Sequence, residues 1–337
     1  MLSINFGKLT EDNCLSFCDG YLNSSGKKIK GMIDWIFERK ENILDDTITN
    51  ISENFSIKKE LEELKAKLTK EEIKKILSCD YKKLENKNDE YSKFDFNFWL
   101  APKIEVNLLE KIFNYSSFRN YKKTIINGYW LSEKLGIDCC PYCNRNYTSS
   151  HQTFFKNINN ELKEKHVFPE FDHFYPKEKY KLLAISFYNL IPSCNICNTH
   201  FKGGRNPLDI FHPYKNVIDN HFSFIGFPND IGTLYGAGHK ITLDFEYNCD
   251  SITKEELVKS IDFFGIKDTY EKCHSNLIED IIYKKLAFSE RYIKELQSTY
   301  KISFEDAYKI LFEVHFEDDK LHRRPFSKLK KDIYKNF

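Results

Sequence analysis

Two Cys-x-x-Cys pairs constrain this chain more than any other feature. They are Cys140-Pro-Tyr-Cys143 and Cys194-Asn-Ile-Cys197. Each pair can set two thiolates on one tetrahedral Zn²⁺, and two pairs close the coordination sphere. A closed four-thiolate site has no open position, so its role is structural. Residues 144 to 193 must then leave the ion and return to it. That excursion exceeds the roughly 15–20 residues of a simple zinc ribbon, so folded structure must lie between the pairs. The alternative is four buried free thiols, which two pairs in one compact region disfavour. Cys139 adjoins the first pair and is a possible competing ligand, at a less usual spacing from Cys143.

The rest of the chain supports a folded protein. Of 337 residues, 41% are hydrophobic and 15% aromatic, enough apolar surface for a sizeable core. Lys and Arg number 51 against 50 Asp and Glu, a net charge of +1. This excludes a globally basic coat, so any nucleic-acid contact needs a local patch. No apolar run is long enough to span a membrane. The start, MLSINFGKLTEDNC, lacks the layout of a secretory signal. We therefore expect a cytoplasmic protein whose 10 Cys are thiols or metal ligands, not a disulfide frame.

Three regions are expected: a helical N-terminal part (1–128), a central domain (129–225) and a mainly helical C-terminal part (226–337). Ile57, Leu61, Leu64 and Leu68 have helical spacing. Thr69 with Glu72 reads as a capping box, as do Thr253 with Glu256 and Ser303 with Asp306. Gly265 is placed to stop a helix. Ile278, Ile282, Leu286, Ile293 and Leu296 predict one face of a single longer helix. Phe94–Leu100 is apolar and aromatic, suited to a core or helix interface. Gly226 to Gly238 reads as loops or a hairpin, and the tail KLHRRPFSKLKKDIYKNF is locally basic.

Between the cysteine pairs, Val167–Phe174 and Ala184–Leu190 read as strands. The first carries Asp172-His173 and the second Asn189. Asn198 follows Cys197, and Lys202 lies four residues on. A carboxylate and amide oxygens suit a hard cation. An imidazole suits proton removal from water near neutral pH. Taken singly, an Asp-His pair is an ordinary surface turn and an Asn before Pro an ordinary cap. Their order inside a zinc frame is what makes them informative. Lys177 and His212 stand apart from this set, and His212, in FHPY beside Pro and Tyr, reads as structural.

The run CPYC…FDHFYPK…FYNLIPSCNICNTHFK resembles the HNH endonuclease family over roughly residues 139–206, in the form braced by a four-Cys zinc knuckle. The resemblance implies an α+β fold: a ββα-metal (His-Me finger) HNH core with a structural zinc knuckle, embedded between mainly α-helical flanks. It implies His173 as general base and Asn189 as the residue orienting it. It implies Asp172 and Asn198 as ligands of a catalytic Mg²⁺ or Mn²⁺, and Cys140, Cys143, Cys194 and Cys197 as ligands of structural Zn²⁺. Asn198 stands where His is common in the family. His200 lies two positions on, about 200° round an α-helix, so the two cannot share a metal. Lys202, Arg145 and Arg205 are candidate phosphate contacts.

More loosely, NPLDIFHPY and the helical flanks resemble nuclease subunits of prokaryotic anti-phage defence, of the Septu and retron-associated type. Such subunits work beside a P-loop ATPase. This chain has no GxxxxGK[ST] loop, so a nucleotide-driven step would fall to a partner ATPase or sensor subunit. The expected activity is metal-dependent hydrolysis of DNA phosphodiesters. The alternative is a non-catalytic zinc-containing subunit that binds nucleic acid or docks a partner. Oligomeric state is not readable.

Overall fold

The computed structural model describes residues 8–50, 55–79, 106–120, 125–205, 207, 209–215, 221–230, 232 and 241–337. Among the described residues helices dominate, and four small two-stranded antiparallel sheets punctuate them. The N-terminal part is helical as its patterning predicts, with one short hairpin, β1 (Gly20–Leu22) against β2 (Lys28–Lys30). Leu61 and Leu64 of the Phe55–Lys67 helix are buried, as is Leu68 just beyond it. Thr69 caps the next helix, Lys70–Leu77, by accepting from the Glu72 amide. The Phe94–Leu100 stretch lies outside the described residues.

Around the zinc motif the chain makes β3 (His151–Lys156), β4 (Leu162–Val167), β5 (Glu170–His173) and β6 (Leu190–Ser193). β3 pairs with β4, and β5 pairs with β6. The strand expected over Ala184–Leu190 is displaced. Lys181–Ile185 and Phe187–Asn189 are 3₁₀ turns, and the strand starts only at Leu190. The physical reason is Asn189, whose side chain bonds Tyr175 and Leu183 backbone atoms and so holds the chain curled before it can extend.

After β6 comes the wide helix Ile196–Lys202, where the Gly203 amide donates to the Asn198 carbonyl, five residues back, at 2.8 Å. Strands β7 (Phe222–Pro228) and β8 (Ile241–Tyr247) form a hairpin, as the Gly-rich stretch allows. Residues 231 and 233–240, between the two strands, lie outside the described residues.

Two C-terminal expectations need correction. The helix Ser251–Phe263 is capped by Asp250, which accepts from the Ile252 and Thr253 amides, not by Thr253. A carboxylate one turn earlier outcompetes the hydroxyl, and the Thr253 hydroxyl itself donates to Asp250. The long helix expected through Leu296 is two helices, Ile266–Ala287 and Glu290–Tyr300. Ser289 caps the second, which swings Ile293 into the core while Leu286 stays exposed. Gly265, in the left-handed region at φ +55°, does stop the preceding helix. Ser303 caps Phe304–Phe312 as predicted.

One apolar core runs through all three regions, from Phe17 and Ile36 through Phe187 and Leu190 to Tyr308 and Ile333. The basic tail is partly interior. In helix Ser327–Asn336, Lys328 is buried, bonded to Asp332 at 2.9 Å and to the Phe222 carbonyl of β7. The tail also reaches the turn that carries Cys140 and Cys143. Asn144 accepts from the Phe326 amide at 2.6 Å and the Lys328 amide at 3.2 Å, and it donates to the Leu321 carbonyl.

Candidate functional site

Cys140, Cys143, Cys194 and Cys197 converge, all buried, with their Sγ atoms within 4.8 Å of one another. A tetrahedron with Zn–S bonds of about 2.3 Å has S···S edges of roughly 3.8 Å. The Cys143–Cys194 separation is 3.9 Å, so the cluster fits a zinc ion in size as well as donor type. Cys139 takes another path, bridging to Tyr147, and is not one of the four. The surroundings suit a dianionic tetrathiolate. The Asn146 side-chain amide donates to Cys194 Sγ at 3.3 Å, and Arg145 stands beside Cys143 and Cys197. Tyr270 donates to the Cys143 carbonyl at 2.6 Å.

The knuckle braces a cleft of about 300 Å³, whose walls include Tyr115, Arg119, Glu170, Asp172, His173 and Asn198. β5 contributes Glu170 to His173 in one run. Opposite it, the Ile196–Lys202 helix supplies Asn198 and Lys202.

His173 is 8% exposed, and its Nε2 lies 2.9 Å from the Ala184 carbonyl. A carbonyl only accepts, so Nε2 carries the hydrogen in this contact and Nδ1 is left with its lone pair. Among the described residues no protein group is recorded on Nδ1. The Tyr115 ring meets the imidazole edge-on, 4.4 Å between centroids. Burial pushes the His173 pKa down to about 3, against a raising contribution from the Ala184 carbonyl, and Lys177 and Lys202 lower it further. The ring is therefore neutral at physiological pH. Asn189 is fully buried and clamps the loop after His173: Oδ1 accepts from the Tyr175 amide at 2.7 Å, and Nδ2 donates to the Tyr175 and Leu183 carbonyls. It thus fixes the same 3₁₀ segment that presents Ala184 to His173.

Asp172 is buried, and both its oxygens are engaged. Tyr142 donates to one at 2.6 Å, and the Lys202 ammonium sits 3.0 Å from the other. Burial raises its pKa, and Lys202 and Tyr142 pull it back. Lys202 also donates to the His173 carbonyl at 2.6 Å, so it is an internal strut of the cleft floor. Asn198 donates to Glu170 at 2.9 Å, and Asn195 donates to the other oxygen of Glu170. Oxygen donors of the right kind for a hard cation are therefore gathered here. As arranged, Asp172 faces Lys202 and Asn198 faces Glu170, so the two expected ligands hold protein partners.

Of the other candidates, Arg145 belongs to the knuckle and Arg205 lies over the Phe263 ring at 4.0 Å, neither on the cleft wall. Lys177 does line the cleft, as a cation over Tyr115, and His200 does not. His212 is a core residue packed on Phe174. Sequence reasoning missed Glu170, Tyr115 and Tyr142. Glu170 sits two residues before Asp172, the strand spacing for a shared face, and that period was the available signal. No family model matches the chain, and neither a curated protein nor a solved structure does.

Proposed function

We propose that this chain is a metal-dependent HNH-type endonuclease that hydrolyses DNA phosphodiesters, with β5, β6 and the Ile196–Lys202 helix as its ββα core. The observation that carries the reading is the imidazole of His173. The Ala184 carbonyl holds its Nε2–H, which leaves Nδ1 as the nitrogen able to accept a proton. The ring lines a polar cleft with Glu170, Asp172 and Glu178. In this reading His173 Nδ1 takes a proton from water, and Asn189 holds the loop that orients the ring. Asp172, Asn198 and neighbouring Glu170 are the oxygen donors available to Mg²⁺ or Mn²⁺, which when bound would stabilise charge on the phosphoryl oxygens. Lys202 holds the Asp172 carboxylate in place, and the buried Cys cluster would hold Zn²⁺ as a brace.

Incubating the purified protein with plasmid and Mg²⁺ or Mn²⁺, beside His173→Ala, tests the reading. Cleavage by the parent and none by the variant is the expected result. The engagement of both Asp172 oxygens favours a second reading, a non-catalytic zinc subunit that binds nucleic acid or a partner. Inertness towards every nucleic acid and divalent metal, with zinc bound, would select it. On the nuclease reading we further propose that the chain is the effector of an anti-phage system, gated by an ATPase or sensor subunit.

A further inference from the structure

The β3–β4 ribbon is unusual in what it leaves uncovered. Phe154, Phe155, Ile158 and Leu162 are all exposed, and Ile158 at the tip is 101% accessible. A two-stranded ribbon is at best marginally stable by itself. This one is held at its two ends. At the tip Asn157 Oδ1 accepts from the Asn159 and Glu161 amides, and the Asn157 amide donates to the Glu161 carbonyl. At the root the His166 ring packs on Tyr129 at 4.5 Å, and Phe168 lies under Arg119 at 5.2 Å. Arg119 is also a wall of the cleft, so the ribbon springs from the rim of the proposed active site.

The register separates the two faces. Residues directly opposite share a face. One face carries Gln152, Phe154, Lys156, Leu162, Glu164 and His166. Three of its polar groups are tied to each other, since Glu164 accepts from Gln152 at 2.9 Å and meets His166 at 3.0 Å, and its one lysine, Lys156, stands at the far end beside the turn. The other face carries His151, Thr153, Phe155, Lys163, Lys165 and Val167, with no carboxylate. Lys163 does reach Glu161 in the turn at 3.1 Å, but this pair is exposed, and such pairs are weak and exchangeable in water. In a protein of net charge +1, a local face of two Lys and a His with an exposed aromatic is the kind of patch a polyanion needs.

We propose that this ribbon lies in the major groove of B-form duplex DNA, with the Lys163 and Lys165 face towards the phosphates and Phe155 over the groove, while the cleft at its root engages the backbone. The proposal rests on the nuclease reading for what occupies the cleft, and it narrows the substrate to a DNA duplex. The dimensions agree. Six residue pairs at about 3.4 Å each make a ribbon of roughly 20 Å. That is the length of about six base pairs. A B-form major groove, about 12 Å wide, admits a two-stranded ribbon, whereas the deep, narrow major groove of A-form RNA does not.

Lys163→Glu with Lys165→Glu is the test, built in the full-length, zinc-loaded protein. Binding is measured in the His173→Ala background, so that DNA survives, using a 20-base-pair DNA duplex and an RNA duplex of the same sequence. The expected result is a tenfold or greater loss of DNA affinity, and a fall of about two in the slope of log K against log salt. RNA binding should be weaker throughout and unchanged by the substitutions. With His173 intact, hydrolysis of bis(4-nitrophenyl) phosphate should be the same with and without them. Unchanged DNA affinity and slope, equal loss on both duplexes, or a parent that does not bind DNA would overturn the ribbon proposal. A parent that binds DNA through the ribbon but cuts neither DNA nor the small diester would leave the ribbon standing and overturn the nuclease reading.

Discussion

At the scale of single residues, the buried histidines make the sharpest expectations. Burial holds His173 and His212 near pKa 3 and His322 near 4, each below the ordinary 6.5. In the unfolded chain they protonate near 6.5, so between that pH and the folded values the unfolded state binds more protons. Stability should therefore be full above about pH 6.5 and fall as pH drops towards 4, by up to about 1.4 kcal/mol per pH unit for each group. Denaturant midpoints across that range check the sign, and His212→Phe should flatten the slope. Buried Asp172 and Asp332, whose pKa values burial raises, act with the opposite sign, so the comparison with His212→Phe is the check, and an unchanged slope in that variant would contradict neutral burial of His212. The nuclease reading gives a second expectation: if the chain cuts DNA, His173→Ala should lower cleavage by about 10²–10⁴-fold with the fold retained, as read by plasmid nicking and circular dichroism. Wild-type activity in the variant would place the base elsewhere. The residues of this site were partly legible. The cysteines announce themselves by spacing, and His173 and Asn189 by order. The Ala184 carbonyl that sets the tautomer could not be read, because a backbone acceptor has no side-chain signature. Nor could the Tyr142 and Lys202 clamp on Asp172, which needs three-dimensional proximity across 30 residues on each side.

At the scale of elements, the zinc knuckle and the helix caps carry the testable content. Elemental analysis should give about one zinc per chain. Cys143→Ser, or prolonged chelation, should lower the melting temperature and loosen residues around β5 and β6, because a structural site contributes folding free energy directly. A zinc-free protein with an unchanged melting curve would remove the knuckle from the account. Asp250→Ala should lower the melting temperature by leaving the Ile252 and Thr253 amides uncapped. Thr253→Val should cost less, which separates the observed cap from the one the sequence suggested. Helix existence was readable from apolar period, as at Leu61 and Leu64. Helix ends were not, where two capping residues compete, as at Asp250 and Thr253, or where a Ser cap interrupts one apolar face, as at Ser289. The misplaced second strand has the same origin: apolar composition over Ala184–Leu190 could not reveal that Asn189 would curl the backbone.

At the scale of the whole molecule, the helical flanks have two roles to divide. Many of their aromatics, including Phe17, Phe118, Tyr308 and Phe312, are buried in the common core, so folding accounts for them. Tyr283, Leu286, Tyr292, Tyr300 and Ile310 remain exposed on the C-terminal helices. If a partner gates the nuclease, co-purification with the product of the neighbouring gene should be lost on Tyr292→Glu and Tyr300→Glu with the melting curve unchanged. A monomer fully active on plasmid without a partner would refute gating.

The bonds from Asn144 to Leu321, Phe326 and Lys328 also have a meaning in time. Leu321 follows Asn144 by 177 residues. At roughly 5–20 residues per second on the ribosome, the knuckle waits some 10–35 s for its last hydrogen-bond partners. Over that interval the nascent chain carries the cleft residues without the staple that locks their brace. The cleft is therefore among the last parts of the protein to mature, and a chain broken off during translation leaves its four-Cys brace unstapled.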